Sequence, residues 1–203
     1  IRRTRKRLRA LGVNIRTSAT IRRVDLEHLA LADGRTLPYD LLIWSGGVKP
    51  AGALKDFELT LDQRGAIVVN EFLQARLKNP TAASGDRIYA IGDNASFTHP
   101  KTKKPLTRNI PVAEAEGALA ARNIVASIAG QPTRPFKPMA SYPFILAVGG
   151  KYAVTDLVFA KFFGFLGWVL KQIAELRYLL FILPRGKAIR MWLRTVYYSS
   201  KND

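Results

Sequence analysis

Two short apolar runs that end in glycine constrain this chain more than any other feature. The first is "LLIWSGG", Leu41 to Gly47, and the second is "IYAIGD", Ile88 to Asp93. A continuous apolar run of four residues is the pattern of a strand covered on both faces, as in a parallel sheet. Strands of that kind belong to α/β folds, whose ligands bind outside the carboxyl ends of the strands. Glycine at such an end lets a ligand approach the backbone closely. In "DRIYAIGDNASF" the glycine is followed by an acid, Asp93, which can accept hydrogen bonds from a ligand's hydroxyl groups. The alternative for the same residues is a strand followed by an ordinary Asp-containing turn.

The intervening segments suit short strands and one helix. "GVNIRT" reads as a strand after an opening basic helix that Gly12 ends. "TIRRVDLEHLALADGRTLPYD" reads as a strand with a slip near Glu27–His28, a turn at Asp33-Gly34 and a returning segment. Ala66 to Asn70 reads as a further strand, and a polar link then leads to Asp86. "IPVAEAEGALAARNIVASIAG" reads as a helix, with Pro111 in its first turn and Gly130 at its end. Its small residues, Ala113, Ala115, Gly117, Ala118, Ala120 and Ala121, allow close approach of a sheet or of a flat ligand.

The last third has a different character. "YPFILAVGGKYAVTDL" predicts a hairpin around Gly149-Gly150. The following stretch is rich in Phe, Trp, Tyr and Leu, but Lys161, Lys171, Glu175 and Arg177 interrupt it. No uncharged run reaches the roughly 18–20 residues that a spanning helix needs. At about 100° per residue, Lys161, Trp168, Lys171, Gln172 and Glu175 share one sector. The opposite side carries Phe159, Phe163, Leu166, Leu170 and Ile173. Pro184 breaks this helix, and a second helix carries Ile189, Trp192, Leu193 and Val196 beside Lys187, Arg190 and Arg194. From residue 134 onward there are eleven basic residues and three acids. Basic residues beside aromatic ones suit the interface of an anionic membrane. A hairpin packed on the protein's own core or on a dimer partner is the other reading.

The 203 residues carry a formal charge of +17, with 32 Lys and Arg against 15 Asp and Glu. That balance suits an anionic partner: lipid, nucleic acid or a phosphate-rich cofactor. There is no Cys, which excludes disulfides, thiolate nucleophiles and Cys metal sites. The two histidines, His28 and His99, are far apart, and no metal centre is expected. The basic run "IRRTRKRLR" could meet a phosphate backbone, but no stacking platform or reading helix accompanies it, so no nucleic-acid partner is expected.

These stretches resemble one flavoprotein family. "IYAIGD" is similar to the second FAD-binding motif of two-dinucleotide-fold flavoprotein reductases, and "YDLLIWSGGVKP" to the strand that closes their NAD(P)H-binding insert. "PVAEAEGALAARNI" is similar to their helix facing the flavin ring. The amphipathic tail, with its Gly-x-x-Ala-Val start and Gly-x-x-x-Trp step, is similar to that of type II NADH dehydrogenases. The resemblance implies an α/β fold: the carboxyl-terminal part of a Rossmann-like flavoprotein with two dinucleotide-binding domains, followed by an amphipathic helical membrane-binding tail. Residues 1–50 would end the NAD(P)H domain, 51–133 would complete the FAD domain, and 134–203 would form the hairpin and tail. Both Gly-x-Gly-x-x-Gly fingerprints would lie upstream, since the chain opens without Met inside a helix.

By the same resemblance the cofactors are FAD and NADH, and the acceptor is a membrane quinone, reduced without proton pumping. Asp93 would bond the FAD ribityl chain, and Gly92 would admit the cofactor. Val112 and Ala113 would turn backbone N–H groups toward the flavin, as helix starts favour negative charge. Gly46 and Gly47 would lie near the nicotinamide. Glu114 and Glu116 would lie near the ring or the quinone entrance and serve catalysis. The protein would sit peripherally on the cytoplasmic face of the inner or cell membrane, bind anionic lipid, and could dimerise through its carboxyl-terminal region. This chain departs from the pattern at the helix start. Ile110-Pro111 stands where an Ala-Gln pair is usual, and Glu116-Gly117 replaces a later Gln-Gly. Sulfide:quinone reductases share the fold, but their chemistry needs cysteines that this chain lacks. A soluble reductase of the same fold acting on a protein acceptor is the rival reading, and it leaves the greasy tail unexplained.

Overall fold

The computed structural model describes residues 1–79 and 87–201. Asp86 and the end of the link before it lie outside the described residues. In chain order the elements are α1 (Arg2–Ala10), β1 (Ile21–Val24), β2 (His28–Leu31), β3 (Thr36–Pro38), β4 (Ile67–Val68), β5 (Ala95–Ser96), α2 (Ile110–Ile128), β6 (Phe144–Ala147), β7 (Ala153–Asp156), β8 (Lys161–Gly164), α3 (Phe165–Ile182) and α4 (Arg185–Ser200). They fall into two compact units. One joins residues 1–44 to those from Pro143 onward, and the other runs from Ser45 to Tyr142.

In the first unit, β1, β2 and β3 form an antiparallel meander. The expected slip at Glu27–His28 is a full turn between β1 and β2, where Asp25 N–H donates to the His28 carbonyl at 2.9 Å. The Asp33-Gly34 turn forms as expected. The Asp33 carboxylate accepts from the Arg35 amide at 3.1 Å and from its guanidinium at 2.6 Å, and Gly34 takes a φ of +87° that favours glycine. "GVNIRT" is not a strand, since residues 13–17 join no ladder.

The run Leu41 to Trp44 also departs from expectation. It forms no strand, and Leu41, Ile43 and Trp44 are 78%, 80% and 62% exposed. Its apolar pattern needs neighbours on both edges and a layer on each face, and the described residues supply neither.

Beyond Pro143, β6, β7 and β8 form a second antiparallel sheet. The hairpin predicted at Gly149-Gly150 joins β6 to β7, with φ of +75° and +53° at the two glycines. Lys161 to Gly164, expected to open the amphipathic helix, is instead the third strand. Phe162 and Phe163 pair with Thr155 and Val154, and Lys161 bridges Asp156 at 3.1 Å.

α3 then lies on β7 with its polar sector inward. Trp168 and Gln172, from the supposed polar sector, are 9% and 4% exposed, while Phe165, Leu166, Ile173 and Phe181 face outward. The cause is Gly167. A Cβ there would collide with the Ala153 carbonyl oxygen of β7, so helix and strand touch backbone to backbone. The buried Thr155 hydroxyl donates to the Gly167 carbonyl at 3.0 Å and fixes the contact. Trp168 and Gln172, four residues apart, share the adjoining face of the helix and are buried beside this contact. Leu183–Pro184 ends α3, and α4 returns along it, held by the Trp192 indole N–H donating to the Gln172 carbonyl at 2.9 Å.

The second unit has its core around Leu59, Ile67, Val69, Leu73, Ala90, Phe97, Ala120 and Phe136. β4 and β5 pair in parallel. "IYAI" is an extended segment rather than a buried strand. Ala90 is buried, but Ile88 and Ile91 are exposed. It is held by Ala75 N–H donating to the Ile88 carbonyl at 2.7 Å and Ala90 N–H to the Leu73 carbonyl at 3.1 Å. Asn123 anchors α2, its buried side chain donating to the carbonyls of Phe72 at 3.2 Å and Arg134 at 2.9 Å and accepting from Arg134 N–H at 2.9 Å.

Gly167→Ala tests the α3–β7 contact. Although alanine favours helix, we expect a net loss of about 1–3 kcal/mol by overpacking, read by urea or thermal unfolding. Gly186→Ala, where a Cβ would meet nothing within 4 Å, should not destabilise.

Candidate functional site

The extended run Ile88 to Ile91 delivers the chain into a single 3-10 turn, Gly92–Asn94, before β5. Gly92 takes a φ of +63°, which strains any residue with a Cβ. Two residues of α2, Ala113 and Gly117, close against this corner. A Cβ on Gly92 would stand 3.5 Å from the Ala113 Cβ, and one on Gly117 would stand 3.5 Å from the Ile91 Cδ1. The small residues of α2 therefore serve helix-to-turn packing here.

Glu116 locks the corner. Its Oε2 accepts the Gly92 N–H at 2.7 Å, and the residue is 2% exposed. Burial pushes its carboxyl pKa up from 4.5 to about 7; the nearby charge of Asp93 adds to the rise, and the Gly92 N–H opposes it. Asp93 itself is exposed, on the rim of the turn. An exposed carboxylate beside a glycine with no side chain can hold a hydroxyl-bearing cofactor, so the residues present fit such a ligand.

The start of α2 is built by Asn109. Its side chain accepts the Val112 N–H at 3.0 Å, and its carbonyl accepts the Ala113 N–H at 3.1 Å. The two amides expected to face a ligand thus already have acceptors within the chain, and Pro111 has no N–H to offer. What the helix start presents is its dipole and the small Ala113 surface.

The structure brings Gly92, Asp93, Ala113 and Glu116 together. Glu114 is half-buried on the same helix, and Val112 is buried. Gly46 and Gly47 are exposed on the extended stretch after Trp44, and an added Cβ at Gly47 would meet nothing within 4 Å. Sequence reasoning missed Asn109 as the cap and the bond by which Glu116 holds Gly92. Its signal was present: Val112, Glu116, Ala120 and Asn123 follow helical spacing and are the buried stripe of α2. An acid on that stripe must find an internal donor.

A Gly-Asp turn closed by a small-residue helix, in a chain of α and β elements, is matched by a family model. Residues 1–117 match the pyridine nucleotide-disulphide oxidoreductase family, and the chain belongs to that family. Within it, the chain is 27% identical to the internal alternative NAD(P)H-ubiquinone oxidoreductase A1, mitochondrial, of Arabidopsis thaliana, over 95% of this chain and 39% of that protein. It is 24% identical to the type II NADH:quinone oxidoreductase of Haemophilus influenzae, over 64% of this chain and 28% of that protein. The chain thus spans well under half the length of these curated relatives. Among solved structures it is similar to NDH2 from Plasmodium falciparum in complex with NADH, with a TM-score of 0.73 and 15% identity over 97% of this chain and 54% of that one. That likeness shows the fold: this is an α/β, Rossmann-like architecture, matched over about half of that chain.

Glu116 makes stability depend on pH. Its folded pKa exceeds the unfolded value, so its contribution is fully present below about pH 4.5 and is lost as pH rises through about 7. We expect a loss on the order of 3 kcal/mol across that window. Glu116→Gln keeps an acceptor for Gly92 and should flatten the slope, matching the native protein at pH 5 and exceeding it at pH 8. Glu116→Ala should cost about 1–3 kcal/mol at pH 5 and distinctly less at pH 8, where the native protein has itself lost stability. Urea unfolding at the two pH values reads all three.

Proposed function

We propose that this chain is part of an FAD-dependent oxidoreductase that passes electrons from NADH to a membrane quinone without pumping protons. The observation that carries the reading is the Gly92–Asp93 turn locked to α2, in a chain that matches a protein named as an NAD(P)H-ubiquinone oxidoreductase along 95% of its length. When bound, FAD would supply the two-electron chemistry that links NADH to the acceptor. The protein's own part is to position the reactants. Asp93 accepts from ligand hydroxyls, and Gly92 keeps the turn open. Glu116 acts as a positioning residue, because it touches the turn and not the surface. Ala113 offers a flat wall, and the positive end of α2 favours negative charge nearby. Gly46 and Gly47 border the nicotinamide side, and Glu114 lines the approach to the acceptor. On this reading, residues 1–50 close the NAD(P)H domain and 51–133 complete the FAD domain.

Residues 134–203 attach the enzyme to a membrane surface. No helix among the described residues is long and apolar enough to cross a membrane. Instead, α3 and α4 turn Phe165, Leu166, Ile173, Phe181, Ile189 and Leu193 outward. Arg185, Lys187, Arg190 and Arg194 of α4 stand beside this apolar surface. That arrangement lies in an anionic leaflet rather than across it, where a lipid-soluble acceptor is concentrated. The cytoplasmic face of the cell or inner membrane and dimerisation through this region belong to the same proposal.

The test is anaerobic addition of NADH to the liposome-bound protein, followed by a quinone. Bleaching of the flavin absorbance and its recovery on quinone addition are expected; bleaching without recovery would move the acceptor elsewhere, and no flavin would sink the reading. Asp93→Ala should weaken flavin retention about tenfold, one lost charge-assisted hydrogen bond. Phe165→Lys with Phe181→Lys should abolish flotation with liposomes and leave reduction by NADH intact.

A further inference from the structure

α1 carries six basic residues and no acid. Arg2 and Lys6, and Arg3 and Arg7, are like-charge pairs four residues apart, which destabilise a helix. A helix this poorly matched to its own electrostatics is a local conflict of the kind proteins retain at functional positions.

The cations are also arranged. Arg2, Arg3, Lys6, Arg7 and Ala10 lie on one face of α1 and line a hollow of about 650 Å3, closed on its other side by Tyr152 from the β6–β7 hairpin. The Arg7 guanidinium donates to the carbonyls of Val148 at 3.4 Å and Gly149 at 3.3 Å and lies 5.5 Å from the Tyr152 ring centre. The Arg3 guanidinium sits 4.4 Å over the Phe163 ring. The carbonyls and rings named here hold the Arg7 and Arg3 guanidinium groups in place. Arg2 and Lys6 flank them and join no ion pair among the described residues.

We propose that this hollow binds a compact ligand carrying two or more phosphate groups. Guanidinium forks grip phosphate oxygens in pairs, and a lysine adds a point charge. Arg2 to Arg7 spans about 7.5 Å along the helix axis, so the row outreaches a single phosphate. The ligand relieves the repulsion within α1, and its binding raises stability. The same chemistry occurs in a free oligophosphate and in a bisphosphate lipid headgroup. The hollow shares no residue with the Gly92–Asp93 turn, and the proposal does not rest on the function proposed above.

The experiment uses inorganic tripolyphosphate by calorimetry, and flotation with phosphatidylcholine vesicles with and without cardiolipin. Two charge-matched variants are compared: Arg2→Glu with Lys6→Glu inside the hollow, and Arg5→Glu with Arg9→Glu outside it. Circular dichroism and thermal unfolding confirm that both fold. We expect the inside variant to lose at least about tenfold in affinity, the cost of two charge-assisted contacts, and the outside variant to stay within about threefold. Selective loss of tripolyphosphate binding assigns a free oligophosphate; selective loss of cardiolipin-dependent flotation assigns a lipid headgroup. Equal weakening by both variants, or no binding of either probe to the native protein, overturns the proposal.

Discussion

One hydrogen bond, from the Gly92 amide to the buried Glu116 carboxylate, organises the second unit. A positive-φ turn at the end of an extended segment has no ladder to hold it, so something outside the segment must. Glu116 does this from α2, and Asn109 and Asn123 fix the two ends of that helix against the chain around it. The position of Asp93 is therefore a consequence of helix packing. Burying a carboxylate costs free energy unless it is bonded or neutral, and here it is bonded and pushed toward neutrality at once. The turn consequently carries Asp93 as its outward charge, while the second acid serves as a brace.

The local chemistry of this fold was well written in the sequence. The Asp33-Gly34 turn, the Gly149-Gly150 hairpin, the α2 helix with its early proline and the break at Pro184 all follow from residues whose backbone preferences act over a few positions. The Gly-Asp turn could be located for the same reason. What a short range cannot encode is which neighbour covers an apolar face. "LLIWSGG" has the composition of a covered strand, yet coverage is a property of other segments, and Leu41, Ile43 and Trp44 stand exposed. The bond between Glu116 and Gly92 was obscured similarly, because the place of this acid on the buried stripe of α2 does not name its partner.

α3 shows how one atom overrides a pattern. Periodicity divided its residues into a polar and an apolar sector without saying which one the protein covers. The helix meets β7 at Gly167, where a Cβ would collide with the Ala153 carbonyl oxygen, and covers the polar one. Trp168 and Gln172 went inward with it, and the amide and carbonyl of Gln172 met Ser199 and Trp192 of α4 rather than water. The spacing of apolar residues describes where a helix would prefer to face; steric fit decided where it could.

The Gly167 joint also separates two kinds of selection. The rotational phase of α3 is set by a glycine, a threonine and a carbonyl, none of which faces outward. The outward residues take no part in that fit. They are free to drift in size and greasiness without retuning the joint, so the adhesiveness of this surface and the integrity of the unit beneath it can evolve independently.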